Sequence, residues 1–302
     1  MVKKNKEKTS IGGILDAVIS SSSFGFSPFF SVSLLMAGLS TFEVLTYRWG
    51  VATAVLIAFA LATGKSLKTD RKEFGKMFLL SLFRALTSLT LLYGYDNIAS
   101  GVASTIHFMY PIVVAVSMMF LFGEKKSPVI LTATVLSLLG AYLLASGDSV
   151  KSASGGNVAL GIISSVCSVF CYAGYMILLK RTGADRIEST KLTCYVMGLS
   201  AIYFFMAGSI SGGVRIVTEP GLWIYILGIS ILCTTISNFF LVTAVKKIGP
   251  TLTSVLGALE PLTAVIIGIL VFGEHLTLSS IIGIILILTT VTLVVLHQKK
   301  SA

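Results

Sequence analysis

Apolar segments alternate with short polar stretches along almost the whole chain. A helix needs about 20 consecutive apolar residues to cross the hydrocarbon core of a bilayer. Segments of that kind run over residues 11–37, 42–63, 74–95, 98–122, 128–146, 157–179, 190–211, 221–244, 250–272 and 278–297. The pattern therefore predicts an all-α integral membrane protein with ten transmembrane helices.

Two of these segments repeat each other at a constant offset of 150 residues. The matched pairs are Ser104 with Ser254, Pro111 with Pro261, Phe122 with Phe272, Gly123 with Gly273 and Glu124 with Glu274. At an offset of 148, Gly13 also aligns with Gly161. The first segment resembles a signal peptide, but we expect it to be retained because it takes part in the repeat.

The repeat predicts two five-helix units, residues 11–148 and 157–297, which together form one membrane domain. The polar stretch 147–156 has the composition of a flexible linker between them. Because five is an odd number, the second unit enters the membrane from the opposite side to the first. Inverted repeats of this kind are typical of secondary transporters, which alternate access to a site near the bilayer midplane.

Basic residues indicate how the predicted helices are oriented. All but four of the 23 Lys and Arg residues fall at the same side of the predicted bundle, and the exceptions are Arg48, Arg84, Lys151 and Arg215. Short cytoplasmic loops carry the excess of positive charge in membrane proteins. Both termini are therefore expected in the cytoplasm, with anionic lipids as partners at that face.

Composition limits the kinds of partner and cofactor that we expect. Hydrophobic residues make up 55% of the chain and charged residues 12%, so the net charge of +10 reflects topology, and we expect no nucleic-acid partner. The four cysteines lie in apolar segments and are interpreted as reduced packing residues. We expect no metal and no cofactor. Each Asn lacks a glycosylation context, which fits a multi-pass protein of a bacterial plasma membrane.

Prolines stand near the middle of the two repeated segments. Pro111 and Pro261 each remove a helical hydrogen bond to the carbonyl four residues earlier. A carbonyl freed in this way is tolerated at membrane depth where protein groups or a water-filled cavity satisfy it. The pattern favours a cavity near the midplane, and two ordinary proline-kinked helices are the alternative.

These motifs resemble those of the drug/metabolite transporter superfamily, in its ten-helix EamA branch. The resemblance rests on Arg48 in the second helix, on Tyr110 and Glu260 before the two prolines, and on the Phe-Gly-Glu helix ends. It covers about residues 11 to 297. It implies two pseudo-symmetric halves and the movement of small metabolites, often the export of amino acids.

Glu260 and Arg84 are the leading candidates for a substrate site. Carboxylates at membrane depth are rare and usually functional, so Glu260 is predicted to bind substrate or to couple transport to protons. Its alternative role is structural, for example as an ion pair with Arg84. Arg84 lies too deep in its helix for snorkelling and is predicted to bind an anionic group. Arg48 is interpreted as a snorkelling anchor.

The remaining candidates are aromatic or polar residues of the same helices. His107 and Tyr110 lie one turn apart and are predicted to hydrogen-bond a polar substrate, although a packed core histidine is the alternative for His107. Tyr93 and Tyr172 are predicted to stack on an organic substrate. Asp16, near the cytoplasmic boundary, is expected to bind a lysine or water.

The leading functional hypothesis is a secondary transporter, most often an exporter, of small polar metabolites such as amino acids. An anionic cargo such as a nucleotide or sugar phosphate is the alternative, and a channel is a further one. An enzyme is not expected, because the sequence has no phosphate-binding loop, no H-E-x-x-H and no G-x-S-x-G. Small residues on the fifth and tenth helices permit a homodimer.

Overall fold

The structure, a computed structural model, describes residues 2–124, 127–145, 156–272 and 277–301. Every regular element within these ranges is helical. Seven segments are long and apolar enough to cross a membrane, and two further apolar helices are shorter. The all-α membrane class is therefore confirmed. Residues 220–256 form one such segment, although the apolar pattern divides them between two helices.

The helices follow one another in the order expected from the apolar pattern. They are α1 (Val2–Phe24), α2 (Ser27–Met36), α3 (Thr41–Ala62), α4 (Arg71–Asn97), α5 (Ser100–His107), α6 (Tyr110–Val116), α7 (Pro128–Ala145), α8 (Val158–Arg181), α9 (Ser189–Ile210), α10 (Pro220–Leu227), α11 (Ser237–Leu256), α12 (Leu259–Phe272) and α13 (Leu278–Ser301). Two π-helical segments, Ser117–Leu121 and Gly228–Ile236, extend α6 and join α10 to α11. The Gly273–Glu274 corner, Lys125, Lys126 and most of the expected linker lie outside the described residues.

Capping side chains define where several helices begin. Ser40 and Glu43 form a capping box at the start of α3, in which each side chain binds the backbone N–H of the other. Asp70 caps α4 and Asn157 caps α8 by accepting a hydrogen bond from a backbone N–H three residues on. These bonds satisfy N–H groups that have no partner within the helix.

Three apolar segments are interrupted near their middle. Two residues separate α1 from α2, α5 from α6, and α11 from α12. The second helix of each pair carries a proline in its first turn, namely Pro28, Pro111 and Pro261. Proline is tolerated there because the N–H that it lacks has no acceptor at a helix start. The break before Pro28 was not expected from the sequence.

α11 also bends at Gly249, where φ is +82°. This left-handed backbone conformation is accessible to glycine because glycine has no Cβ. The bend separates the two parts of the continuous run 220–256 close to the predicted boundary between two apolar segments.

The helices of the first half pack in pairs against those of the second half. α1 contacts α11, α3 contacts α9, α4 contacts α8, and α7 contacts α13. The pairs are antiparallel: in α1 and α11, Gly13 approaches Ile248 while Ser20 binds the carbonyl of Ser237. The exterior is apolar, as in Phe120, Ile163 and Phe170, which are all at least 60% exposed. The buried interior, in contrast, holds many polar side chains. An apolar exterior around a polar interior suits a protein whose outer surface contacts lipid.

Candidate functional site

A cleft lies where the three helix breaks meet. Its lining residues are Phe24, Gly25, Pro28, Tyr95, Ser104, His107, Phe108, Glu260 and Pro261. It encloses about 310 Å³ of space between atoms, part of it open to the surroundings. The breaks bring the ends of three helix pairs and one acid, Glu260, to the same place.

Glu260 supplies the carboxylate of this cleft, and the residue is 9% exposed. The Tyr110 hydroxyl donates a long hydrogen bond of 3.4 Å to Glu260 Oε1. Tyr110 and Glu260 are equivalent positions of the repeat, so the equivalent segments of the two halves meet here. Gly257 permits this contact, because a Cβ at that position would overlap the Tyr110 hydroxyl.

His107 lines the same cleft from α5. Its Nδ1 lies 2.7 Å from Ser168 Oγ, which in turn donates to the carbonyl of Ser165. Because that carbonyl takes the Ser168 proton, Nδ1 donates to Ser168 and Nε2 is left as an acceptor. Nε2 is buried and has no partner among the described residues. The histidine is therefore held by one nitrogen and offers the other to a ligand.

Aromatic rings surround His107. The Tyr110 and Tyr172 rings meet edge to face at 4.6 Å, and the His107 ring centroid lies 5.3 Å from that of Tyr172. Tyr93 lies elsewhere and packs against Phe42. Tyr95, two residues further along α4, lines the cleft, because helix positions two apart point to nearly opposite faces.

Two arginines are buried next to the cleft, although neither lines it. Arg84 is 1% exposed and donates from Nε to Asn238 Oδ1 at 2.7 Å. Arg48 is 4% exposed and donates to Thr234 Oγ1 at 2.7 Å and to Ser27 Oγ at 3.2 Å. The interpretation of Arg48 as a snorkelling anchor is therefore wrong: hydrogen bonds to neighbouring helices hold it inside the bundle.

Phe24 contacts both the cleft and the two arginines. Its ring centroid lies 5.7 Å from the guanidinium carbon of Arg48 and 5.7 Å from that of Arg84. The Trp49 ring lies against the same two guanidiniums, at 5.8 and 5.4 Å. The ion pair between Arg84 and Glu260 is not formed in the described structure, because neither residue belongs to any of its ion pairs.

All ion pairs of the described residues lie toward the two ends of the bundle. One end, called the basic end below, carries Lys65, Lys180, Arg181, Lys191, Lys246 and Lys247. There Lys65 pairs with Glu188, and Asp16 pairs with Lys247 at 2.8 Å, as expected for Asp16. At the other end Glu43 pairs with Arg215 at 3.6 Å.

Sequence reasoning missed part of this site. Asn238 and Thr234, which orient the two arginines, gave no signal because their partners lie 154 and 186 residues away in the chain. Gly25 and Pro28 could have predicted the break between α1 and α2. The four cysteines are free, and the described residues contain no group of three or more side chains suited to a metal.

Residues 11–146 and 159–296 each match the EamA-like transporter family. An uncharacterised inner membrane transporter, YicL, of Salmonella typhimurium is 23% identical over 96% of this chain and 97% of its own length. An uncharacterised transporter of Archaeoglobus fulgidus is 25% identical over 74% of this chain and 76% of its own.

Two further similarities cover most of the chain. The uncharacterised transporter YvbV of Bacillus subtilis is 24% identical over 90% of this chain and 85% of its own length. A crystal structure with 15% sequence identity superposes with a TM-score of 0.77, covering 97% of this chain and 98% of the other. At that identity the structural similarity establishes the fold alone.

Proposed function

Because the chain belongs to the EamA-like transporter family, we propose that it is a secondary transporter that exports small polar metabolites such as amino acids by alternating access. Its apolar helices and its relatives make it a multi-pass protein of the inner (cell) membrane. The observation that carries the proposal is the cleft at three converging helix breaks, with Glu260 and His107 in its wall. Broken helices around a polar cavity are how secondary transporters build substrate sites.

The proposed architecture is ten transmembrane helices in two inverted five-helix repeats. If a two-fold axis relates the halves, each contact between them is matched by a second contact between the equivalent residues, with the two halves exchanged. A Cβ on Gly13 would approach Ile248 to 2.5 Å, and one on the equivalent Gly161 would approach the equivalent Ile98 to 2.7 Å. These exchanged contacts support a pseudo-two-fold relation between the halves.

The interface between α7 and α13 supports the same relation. Thr290 donates to the carbonyl of Ala133, while Gly140 packs against the carbonyl of Gly283. At an offset of 150 residues, each of these contacts is the other with the two halves exchanged. Such an interface allows one half to rock against the other about the site between them.

The basic end is proposed to face the cytoplasm, together with both termini. Its lysines are the cationic side chains that the positive-inside rule places there. Three of these lysines pair with an acid of the opposite half: Lys65 with Glu188, Lys191 with Glu73, and Lys247 with Asp16. These contacts join the two halves at this end of the bundle.

Flux measurements in proteoliposomes test the transport proposal. Purified protein preloaded with an unlabelled amino acid is expected to take up the labelled one by counterflow, with saturable kinetics. A flux that does not saturate and shows no counterflow would indicate a channel. Complete absence of flux for amino acids, sugars, purines and phosphates would contradict transport of small polar metabolites.

Proton coupling through Glu260 is the second part of the proposal. Glu260→Gln removes the titratable group and keeps its shape, so we expect loss of uptake driven by a pH gradient with counterflow retained. Glu219→Gln, at an exposed position, is the matched control and should keep both activities. An unchanged response to the pH gradient in Glu260→Gln would return Glu260 to a structural role.

A further inference from the structure

Three buried hydrogen-bond donors near the cleft have no acceptor in the described structure. They are one terminal guanidinium nitrogen of Arg48, one of Arg84, and the indole Nε1 of Trp49. These residues are at most 4% exposed. Guanidinium and indole groups donate but cannot accept hydrogen bonds. What is missing around them is therefore an acceptor.

The charge of this region leads to the same conclusion. Arg48 and Arg84 place two cations in the interior of a membrane protein, where an uncompensated charge is costly. Their partners Thr234, Ser27 and Asn238 are neutral. Glu260 is the acid that lines the cleft, and it pairs with neither arginine in the described structure. When Glu260 is ionised, Arg48, Arg84 and Glu260 together carry one positive charge, and one additional negative charge neutralises them.

The two guanidiniums are held ready for a ligand. The Asn238 side chain donates to the carbonyl of Thr234 at 2.7 Å, which fixes its oxygen toward Arg84 Nε. Thr234 lies in the π-helical segment and binds Arg48 Nε. Both arginines are thus anchored through Nε, and each keeps a terminal nitrogen free. Groups fixed in advance lose less entropy when they bind.

Phe24 contacts both the cleft and two of these donor groups. It is the last residue of α1, directly before the break at Gly25, and its ring contacts the cleft and both guanidiniums. Phe24 is therefore a side chain that the cleft and the two guanidiniums share. The last residue of a helix moves more readily than residues in its middle.

From these observations we propose that the transported substrate carries a carboxylate that binds to Arg48, Arg84 and Trp49 after Phe24 moves aside. This inference rests on the proposed function and specifies its substrate class. A singly charged carboxylate fits better than a phosphate dianion, because the cleft also holds the acid Glu260.

Matched ligands test the inference without any substitution. The thermal midpoint of the purified protein is measured with leucine and leucinamide, phenylalanine and phenylalaninamide, benzoate and methyl phosphate, since a ligand that binds the folded state raises the midpoint. We expect stabilisation by carboxylates and none by the amides. Equal stabilisation by acid and amide, a preference for methyl phosphate, or no effect of any carboxylate would overturn the inference.

Variants then locate the site. Arg84→Gln and Arg48→Gln are expected to weaken carboxylate binding more than about tenfold, because each removes a desolvated charge partner. Arg215→Gln, at the bundle end, is the matched control and should bind as the native protein does. Asn238→Asp supplies a carboxylate next to Arg84 from within the chain, so it should abolish carboxylate binding even if Arg84→Gln fails to fold. Retained binding in folded Asn238→Asp would contradict the proposed site.

Flux separates this inference from the proposed function. Saturable counterflow of amino-acid amides or sugars, without counterflow of carboxylates, would overturn the carboxylate site and leave a transporter. Carboxylate counterflow that is lost in Asn238→Asp but kept in Arg215→Gln would support both.

Discussion

Charged side chains have different partners at the ends of the bundle and at its centre. At the ends, Lys65, Lys247 and Arg215 each lie within ion-pair distance of a carboxylate. At the centre, Arg48 and Arg84 contact neutral amide, hydroxyl and aromatic groups in the described structure. Pairing matters least at an exposed surface and most in a dry interior. The unpaired charges thus occupy the costly position, as expected of a site that receives an anion from outside the chain.

The largest effect is expected where the partner of a central charge is removed. Asn238→Leu deletes the oxygen that accepts from Arg84 Nε and leaves a buried guanidinium without that bond. We expect the free energy of unfolding to fall by about 3 kcal/mol, seen as a lower thermal midpoint in detergent. Asn238→Asp also loses the bond to the Thr234 carbonyl, but its carboxylate pairs with Arg84, so it should lose less. Equal losses in the two variants would contradict the role given to this oxygen.

Packing at the centre gives the next largest effect. Gly257→Ala adds a methyl group where the Tyr110 hydroxyl already lies, so we expect a loss of about 2 kcal/mol from overpacking. Adding Tyr110→Phe removes the hydroxyl and should restore part of that stability, since the added Cβ still approaches the Ser254 carbonyl to 2.8 Å. Gly50→Ala, where an added Cβ meets open space, is the control. A double variant as unstable as Gly257→Ala alone would show that Tyr110 is not the obstacle.

Arg48 should be less sensitive than Arg84, because it has two hydroxyl partners. Thr234→Val removes the acceptor of Nε and leaves the bond to Ser27 Oγ. We expect a loss of about 1 kcal/mol in thermal or denaturant unfolding. Thr289→Val, which removes an exposed hydroxyl bonded within its own helix, is the matched control and should change stability little.

The smallest effect is expected at the basic end. Burial alone would raise the pKa of Glu188, but the backbone N–H of Lys191 and the ammonium group of Lys65 outweigh it and lower that pKa below 4.5. A lowered pKa in the folded state adds stability above the ordinary carboxyl pKa, and this gain is lost as the pH falls through the folded value.

Glu188→Gln should therefore cost less than about 1 kcal/mol near neutral pH, since the pair is partly exposed. The difference from the native protein, measured as thermal midpoints between pH 3 and 7 in about one-unit steps, should vanish at the acid end. A cost as large as that of Asn238→Leu would remove the contrast between the ends and the centre.

Some features of the site follow from local sequence rules. A proline inside an apolar segment signals a helix break, and the structure has breaks at Pro111 and Pro261. The 150-residue offset correctly pairs Tyr110 with Glu260 as equivalent positions, and their side chains meet. Phe24 was missed because the first break has no equivalent proline in the other half to draw attention to it.

Other features depend on contacts between distant segments. The sequence marked Arg84 as buried, because a guanidinium ten residues into an apolar helix cannot reach water. It assigned Arg48 to the interface, since a position near a helix end permits snorkelling. The structure buries Arg48 because Ser27 and Thr234, from two other segments, converge on it. Tyr95, and not Tyr93, faces the cleft because of how α4 is rotated.

The sequence by itself determined the membrane class, the family and the internal repeat, because apolar length and motif spacing are properties of consecutive residues. The tertiary structure alone decided which buried donors lack an acceptor. Hydrogen bonding in the interior depends on which helices pack together, and Asn238 meets Arg84 across 154 residues of chain. The sequence predicts that Arg84 binds an anion, but the grouping of Arg84 with Arg48 and Trp49 is visible only once the helices are assembled.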